Sequence, residues 1–114
     1  MKKTWEYDSN SKLIYYKDSD GFEVWHEYDS NGNCIHYKNS NRYEQWQEYD
    51  SNGNEIHYKD SNGYECWREY DSNSNCIHYK DNRGIEQWYW KGELTEDPVK
   101  ILLLSSQIHS KVTQ

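Results

Sequence analysis

The chain has 114 residues, a formal charge of −7 and a mean hydropathy of −1.37, and 17% of its residues are aromatic, mostly tyrosine. That length supports one domain, 1–114, and that composition excludes an oily core, leaving aromatic faces with polar handles to do the packing. The acidity argues against a nucleic-acid or anionic-membrane surface, which needs lysine and arginine in excess, and favours a basic partner.

Met1-Lys2-Lys3-Thr4 opens like an export signal, but Trp5-Glu6-Tyr7-Asp8 follows where an apolar stretch of about 7 to 15 residues is required. A cytoplasmic location is expected. From Thr4 a 21-residue unit then recurs four times. The first, looser copy is TWEYDSNSKLIYYKDSDGFEV; WHEYDSNGNCIHYKNSNRYEQ starts at Trp25, WQEYDSNGNEIHYKDSNGYEC at Trp46 and WREYDSNSNCIHYKDNRGIEQ at Trp67. A fixed period of this kind marks a stacked array in which no unit buries its apolar surface alone.

Within each unit two runs of strand-forming residues alternate with Ser-Asn-Gly turns, the strongest short-range hairpin signal. The prediction is a mainly β chain: an antiparallel meander of two-strand repeats over 4–91 with about nine strands. Those strands run about 3–8, 12–17, 22–29, 33–38, 43–50, 54–59, 64–71, 75–80 and 85–91. Because the period is odd, one hairpin per repeat needs an even loop and the other an odd loop or a bulge. With Asn52-Gly53 as the two-residue loop, Tyr49 pairs with Ile56, Glu48 with His57, Gln47 with Tyr58 and Trp46 with Lys59. This register gathers Ile14, Tyr16, Phe22, Tyr28, Ile35, Tyr37, Tyr43, Tyr49, Ile56, Tyr58, Tyr64, Tyr70, Ile77, Tyr79 and Ile85 on one face as the expected core. The opposite face carries Trp25, Trp46, Trp67 and Trp88 among Glu, His and Lys. The opposite parity would move the Trp stripe in with Ile and Tyr.

After Trp88 the repeat decays, and 96–112 reads as a short C-terminal capping helix. Asp97 is its N-cap and Pro98 its first residue, with helix from about 98 to 111. Val99, Leu102, Leu103 and Ile108 form its apolar stripe, expected to cover the Ile/Tyr face.

No constellation points to catalysis, and the chain is expected not to be an enzyme. His36, His57 and His78 sit one per repeat, roughly 10 Å apart, too far to share a zinc ion, and each is expected to pair with a cross-strand Glu, as Glu27 with His36. The carboxylate pairs Glu27/Asp29, Glu48/Asp50 and Glu69/Asp71 repeat identically on an open sheet, without the asymmetry that glycoside hydrolysis requires. Each Asp suits an Asx bond to its own turn. Cys34, Cys66 and Cys76 are odd in number and show no CxxC spacing, so three free thiols, no metal and no cofactor are expected. The Trp stripe is open to three readings: structural ladder, protein anchor, or platform for sugar rings or a quaternary amine.

At the level of Tyr-Asp-Ser-Asn-Gly-Asn-x-Ile-His-Tyr-Lys the chain resembles the Tyr-Asp repeats of Rhs-type polymorphic toxins, over residues 4 to about 90. More closely, it is similar to the small repeat proteins encoded beside Rhs and contact-dependent growth-inhibition toxins as immunity partners. That resemblance implies a cytoplasmic protein, monomeric outside its complex, that binds and blocks the C-terminal domain of one cognate toxin, often a nuclease such as an RNase. A nuclease site is basic because it holds phosphates, so the expected toxin-binding residues are Glu27, Asp29, Glu48, Asp50, Glu69 and Asp71 for charge, with Trp46 and Trp67 as anchors. Specificity is expected from positions that differ between copies: Val24/Gln45/Cys66, His26/Gln47/Arg68, and Asn41-Arg42 against Asn62-Gly63. The rival reading is a cell-wall, choline or glycan-binding module, for which Trp-Tyr-Trp occurs only once, at 88–90.

Overall fold

Alternating Tyr/Trp-rich runs and Ser-Asn-Gly turns fold each copy into two antiparallel strands. In the computed structural model, backbone is described for residues 2–112 and side chains for residues 2–108. The strands are β1 (Thr4–Tyr7), β2 (Leu13–Lys17), β3 (Glu23–Tyr28), β4 (Cys34–Asn39), β5 (Glu44–Tyr49), β6 (Glu55–Asp60), β7 (Glu65–Tyr70), β8 (Cys76–Asp81), β9 (Glu86–Trp90) and β10 (Glu93–Thr95). They form one antiparallel sheet in chain order, followed by α1 (Pro98–Val112). The tenth strand was not expected. It arises from a two-residue turn at Lys91 and Gly92, both at positive φ (50° and 84°), which pairs Trp90 with Glu93.

Both hairpins of a repeat carry three-residue loops, not the even loop expected at Asn52-Gly53. Asp50 N–H donates to Asn54 O (2.9 Å), and Asp60 N–H donates to Tyr64 O (3.0 Å). The third loop residue takes positive φ, as at Gly53 (83°) and Gly63 (88°). Two odd loops alone would break the parity that the period demands, and a bulge in each even-numbered strand opposite β1, β3, β5 and β7 restores it. Glu48 pairs with His57, but Tyr49 pairs with Glu55 and not with Ile56. The same slip leaves Ile14, Ile35 and Ile77 unpaired.

Ser11, Arg42 and Ser74 occupy that left-handed loop position in place of glycine (φ 64°, 68° and 66°). The left-handed penalty of roughly 1–2 kcal/mol exceeds the entropic cost of glycine, roughly 0.5–1 kcal/mol. Ser11→Gly is therefore expected to raise stability by about 0.5–1 kcal/mol. Its urea midpoint should rise; an unchanged or lower midpoint would show that Ser11 is not strained.

The ladders also slide. Trp46 faces Lys59 and Lys59 faces Glu65, whereas the counterpart of Trp46 is Trp67, two residues further on. Each copy is thus displaced by about 7 Å along the strands, and equivalent side chains in successive copies lie about 12 Å apart.

Among the described residues only α1 lies over the sheet, and most of both faces is open. The radius of gyration is 18.3 Å and the extents are 62 × 30 × 23 Å, against about 13 Å for a compact chain of this length. Among the described residues only Val24, Cys66, Ile77 and Leu104 are buried apolar side chains, so the expected Ile/Tyr core is not a closed core. Apart from exposed Tyr7, the tyrosines are half-buried, and several are tied by hydroxyls: Tyr43 to Tyr58 (3.0 Å), Tyr64 to Tyr79 (2.7 Å), and Tyr70 to the Glu55 carbonyl (2.8 Å). At the open edges β1 is preceded by Lys2 and Lys3, where later copies have Glu-Val, Glu-Gln or Glu-Cys, and β10 is only three residues long. Edge lysines and a short edge strand oppose further strand addition.

Asp97 caps α1 as expected: its carboxylate accepts from Val99 N–H (2.9 Å) and its carbonyl from Ile101 N–H (3.0 Å). The stripe and the covered face differ from expectation. Leu104 is buried and Ile101 and Ile108 are half-buried, whereas Val99, Leu102 and Leu103 point outward, 66%, 67% and 50% exposed. The helix lies on the Trp face, where Lys100 Nζ is 5.8 Å from the Trp90 ring and Ile108 shares a hollow with Trp67 and His78. No helix among the described residues is long and apolar enough to cross a membrane.

Candidate functional site

The register places Trp25, Trp46, Trp67 and Trp88 on one face with Glu27, Glu48, Glu69, His36, His57 and His78, opposite the tyrosines. Trp46 and Trp67 are each 39% exposed, and the Glu27 and Glu48 side chains are 69% and 67% exposed. Five of the expected binding residues therefore share one open surface.

On that surface each histidine is clamped by two carboxylates and an indole. His57 Nδ1 lies 3.2 Å from Glu48 Oε1 and its Nε2 lies 2.7 Å from Glu65 Oε2, while its ring stacks on Trp67 at 5.5 Å. His36 is held by Glu27 (2.9 Å), Glu44 (2.6 Å) and Trp46, and His78 by Glu69, Glu86 (both 2.7 Å) and Trp88. The first glutamate belongs to the same copy, as the sequence predicted. The second also belongs to the same copy, on the facing strand of its second hairpin, and was not foreseen; the stacked indole of Trp46, Trp67 or Trp88 is what belongs to the next copy. The clamps therefore couple neighbouring repeats. In the first copy Tyr15 takes the histidine's place and donates to Glu23 (2.6 Å), a bond that pushes its pKa up to about 12.

Burial alone would lower the pKa values of His36 and His57, but hydrogen bonds to their two carboxylates outweigh it and raise both above the ordinary histidine value. A raised folded pKa makes the stabilisation complete below the unfolded value, about 6.5. It is lost as pH climbs through the folded value, since a neutral imidazole donates to only one carboxylate and repels the other. The urea midpoint should thus fall between pH 6 and pH 8.5, and His57→Gln should flatten that fall. Equal slopes in the two proteins would remove the clamp as its cause.

Asp29, Asp50 and Asp71 lie in the turns at one end of the sheet. Each carboxylate accepts two backbone N–H groups of its own loop, as Asp50 does from Asn52 and Asn54, both at 2.9 Å. Asp29 is held below the usual carboxylate range, chiefly by the Asn33 N–H. The side chains expected to give specificity divide otherwise. Val24/Gln45/Cys66 and His26/Gln47/Arg68 pair with Tyr37, Tyr58, Tyr79 and their neighbours on the face away from the Trp stripe. There they serve packing: Cys66 is buried, Arg68 Nη1 bonds Glu55 (3.1 Å) and its guanidinium lies 5.2 Å from the Tyr79 ring. Among the described residues no group of three His, Cys, Asp or Glu side chains is placed to hold a metal ion, and Cys34, Cys66 and Cys76 are free thiols.

The arrangement offers flat aromatic area, carboxylates and regularly spaced hydrogen-bonding groups. No protein-family model and no curated protein matches the chain.

Proposed function

We propose that this chain is an immunity protein that binds the C-terminal domain of a cognate toxin, a basic nuclease, through its Trp face and occludes the active site. One observation carries the reading: half-exposed Trp46 and Trp67 alternate with the exposed carboxylates of Glu27 and Glu48 and the half-exposed Glu69 on the part of the Trp face that α1 leaves open. Rigid aromatic side chains anchor interfaces at low entropic cost, and a field of carboxylates steers a phosphate-binding surface onto them. The Tyr-Asp repeat resemblance supplies the toxin as partner and the cytoplasm as the place of action. Asp29, Asp50 and Asp71, engaged in their turns, add field and not direct contacts. A second reading, binding of a cell-wall glycan or choline, is favoured by the same half-exposed indoles, since sugar rings and quaternary amines stack on tryptophan.

The test is co-expression with the toxin domain encoded beside the chain, in a cell which that domain kills. Protection together with a 1:1 complex supports the proposal. Absence of both, with retention of the chain on a choline or wall-glycan column, replaces it by the second reading.

A further inference from the structure

On the face away from the Trp stripe, two pairs of tyrosines meet hydroxyl to hydroxyl. The oxygens of Tyr43 and Tyr58 lie 3.0 Å apart, and those of Tyr64 and Tyr79 lie 2.7 Å apart. Each pair spans 15 residues and joins one copy of the repeat to the next. Behind each pair stands a buried carboxylate. Tyr58 donates to Asp60 Oδ2 (2.9 Å) and Tyr79 to Asp81 Oδ2 (2.7 Å), and the two aspartates are 8% and 2% exposed. A hydroxyl has one proton, so with Tyr79 donating to Asp81 it is Tyr64 that donates to Tyr79. Tyr43 reaches both Tyr58 and Gln45 Oε1 (2.9 Å). Asp81 also accepts from Arg83 Nη2 (2.6 Å), which makes it the weaker proton acceptor of the two aspartates. The repeat itself does not impose these pairs. Phe22 and Ile85 stand at the position of Tyr43 and Tyr64, and Tyr37, the counterpart of Tyr58, has Asn39 where the later copies have Asp60 and Asp81.

We propose that Tyr43–Tyr58 and Tyr64–Tyr79 are sites of oxidative cross-linking, where a one-electron oxidant of the peroxidase or metal-complex class joins each pair through ring carbons ortho to the hydroxyls. A phenol that has lost an electron is a strong acid, and the hydrogen-bonded Asp60 or Asp81 carboxylate takes up its proton and passes it to water. The partner phenol loses an electron and a proton in its turn. Each phenoxyl radical carries spin on its ortho carbons, and hydroxyls in contact make those carbons neighbours. They couple there, a carbon–carbon bond forms, and each coupled carbon releases its hydrogen as a proton while the ring oxygen takes one up, which restores both hydroxyls. Two electrons and two protons leave per link, and the electrons reduce two equivalents of oxidant. The links staple adjacent copies together and remove freedom from the unfolded chain. They are independent of the toxin reading, because the tyrosine row lies opposite Trp46 and Trp67.

Photo-excited ruthenium tris(bipyridyl) with persulfate tests the proposal, one ruthenium(III) serving each electron. The unaltered chain is expected to gain dityrosine fluorescence and to keep the mass of a single chain less two hydrogens per link. Its digest is expected to contain peptides joined at Tyr43–Tyr58 and at Tyr64–Tyr79, with Tyr37 unlinked. The yield per chain should not change on dilution, and the urea midpoint of the linked chain should rise. Tyr43→Phe and Tyr64→Phe are each expected to lose one link and keep the other, and the double variant to lose both. The peptide map of the unaltered chain decides the case whatever the variants do to the fold. Absence of dityrosine overturns the proposal. So do links that join separate chains, that fall on Tyr7, the 59% exposed tyrosine, or that join Tyr58 to Tyr64, whose rings lie 5.7 Å apart. A double variant that keeps the fluorescence of the unaltered chain overturns it as well.

Discussion

Leu104→Ala is expected to destabilise the chain by about 2–5 kcal/mol, the range for a buried leucine whose site cannot collapse. Leu104 is only 3% exposed and is one of very few buried apolar side chains, so little else fastens α1 to the sheet. A typical domain is stable by about 5–15 kcal/mol, and such a loss is a large share of that. The damage should also be local, since each repeat of a linear array rests mainly on its neighbours. Hydrogen exchange should therefore speed up across β8, β9, β10 and α1 while β3 to β6 keep their protection. Loss of the helix would also free the Trp90 ring from Lys100, whose Nζ lies 5.8 Å from it. Leu102→Ala and Leu103→Ala, at exposed sites, should each cost less than about 0.5 kcal/mol. If Leu104→Ala and Leu102→Ala melt alike, the inward and outward faces of α1 have been assigned wrongly.

The helix shows where sequence reading stops. Ile101-Leu102-Leu103-Leu104 satisfies two helical stripes at once, one through Ile101, Leu104 and Ile108 and one through Val99, Leu102 and Leu103. Only contact with β9 decides between them. The cap at Asp97 needed no such contact and was legible from Asp-Pro alone. The sheet divides in the same way. Its strands and the pairs Trp46–Lys59, Gln47–Tyr58 and Glu48–His57 follow from period and alternation, both local properties. The bulge at Ile56 does not, because Ser51-Asn52-Gly53 supports two-residue and three-residue loops equally well. The choice depends on parity carried across neighbouring strands.

The candidate site inherits this division. That Trp46, Trp67, Glu27, Glu48 and Glu69 share a face depends on alternation within strands, and was legible. The second carboxylate at each histidine depends on the register of the copy's second hairpin, which sets His57 against Trp67 and Glu65 diagonally across from it, and the strand pattern alone left that register open. Consequently a surface read as alternating charge and indole is a chain of clamped histidines, with Glu44 and Glu65 drawn inward (side chains 30% and 27% exposed) and Glu27 and Glu48 left outward, whereas at the third clamp Glu86 is the more exposed of the two (50% against 39% for Glu69). The outward carboxylates are the ones a partner meets first.

Reversing those carboxylates should therefore have the largest effect on function. In E27K/E48K/E69K each reversal adds two charges, which moves the formal net charge from −7 to −1 and concentrates the change on the Trp face. Steering by a complementary field raises association rates by about 10- to 1,000-fold, so association with the protected toxin domain should slow within that range at low salt and differ less at high salt. Because Glu27, Glu48 and Glu69 also hold His36, His57 and His78, the matching glutamine triple is the control for a weakened clamp. Asp20 and Glu96 reversed together add four charges away from the Trp stripe, to a formal net charge of −3, and should leave the rate near that of the unaltered chain. Trp46→Ala should act on the other rate: loss of a desolvated aromatic anchor costs about 2 kcal/mol or more, some 30-fold in dissociation, with association nearly unchanged. If instead the distant pair slows association as much as the facial triple, and Trp46→Ala leaves dissociation untouched, then the toxin domain is not held by the Trp face and the binding surface must be sought on the tyrosine side.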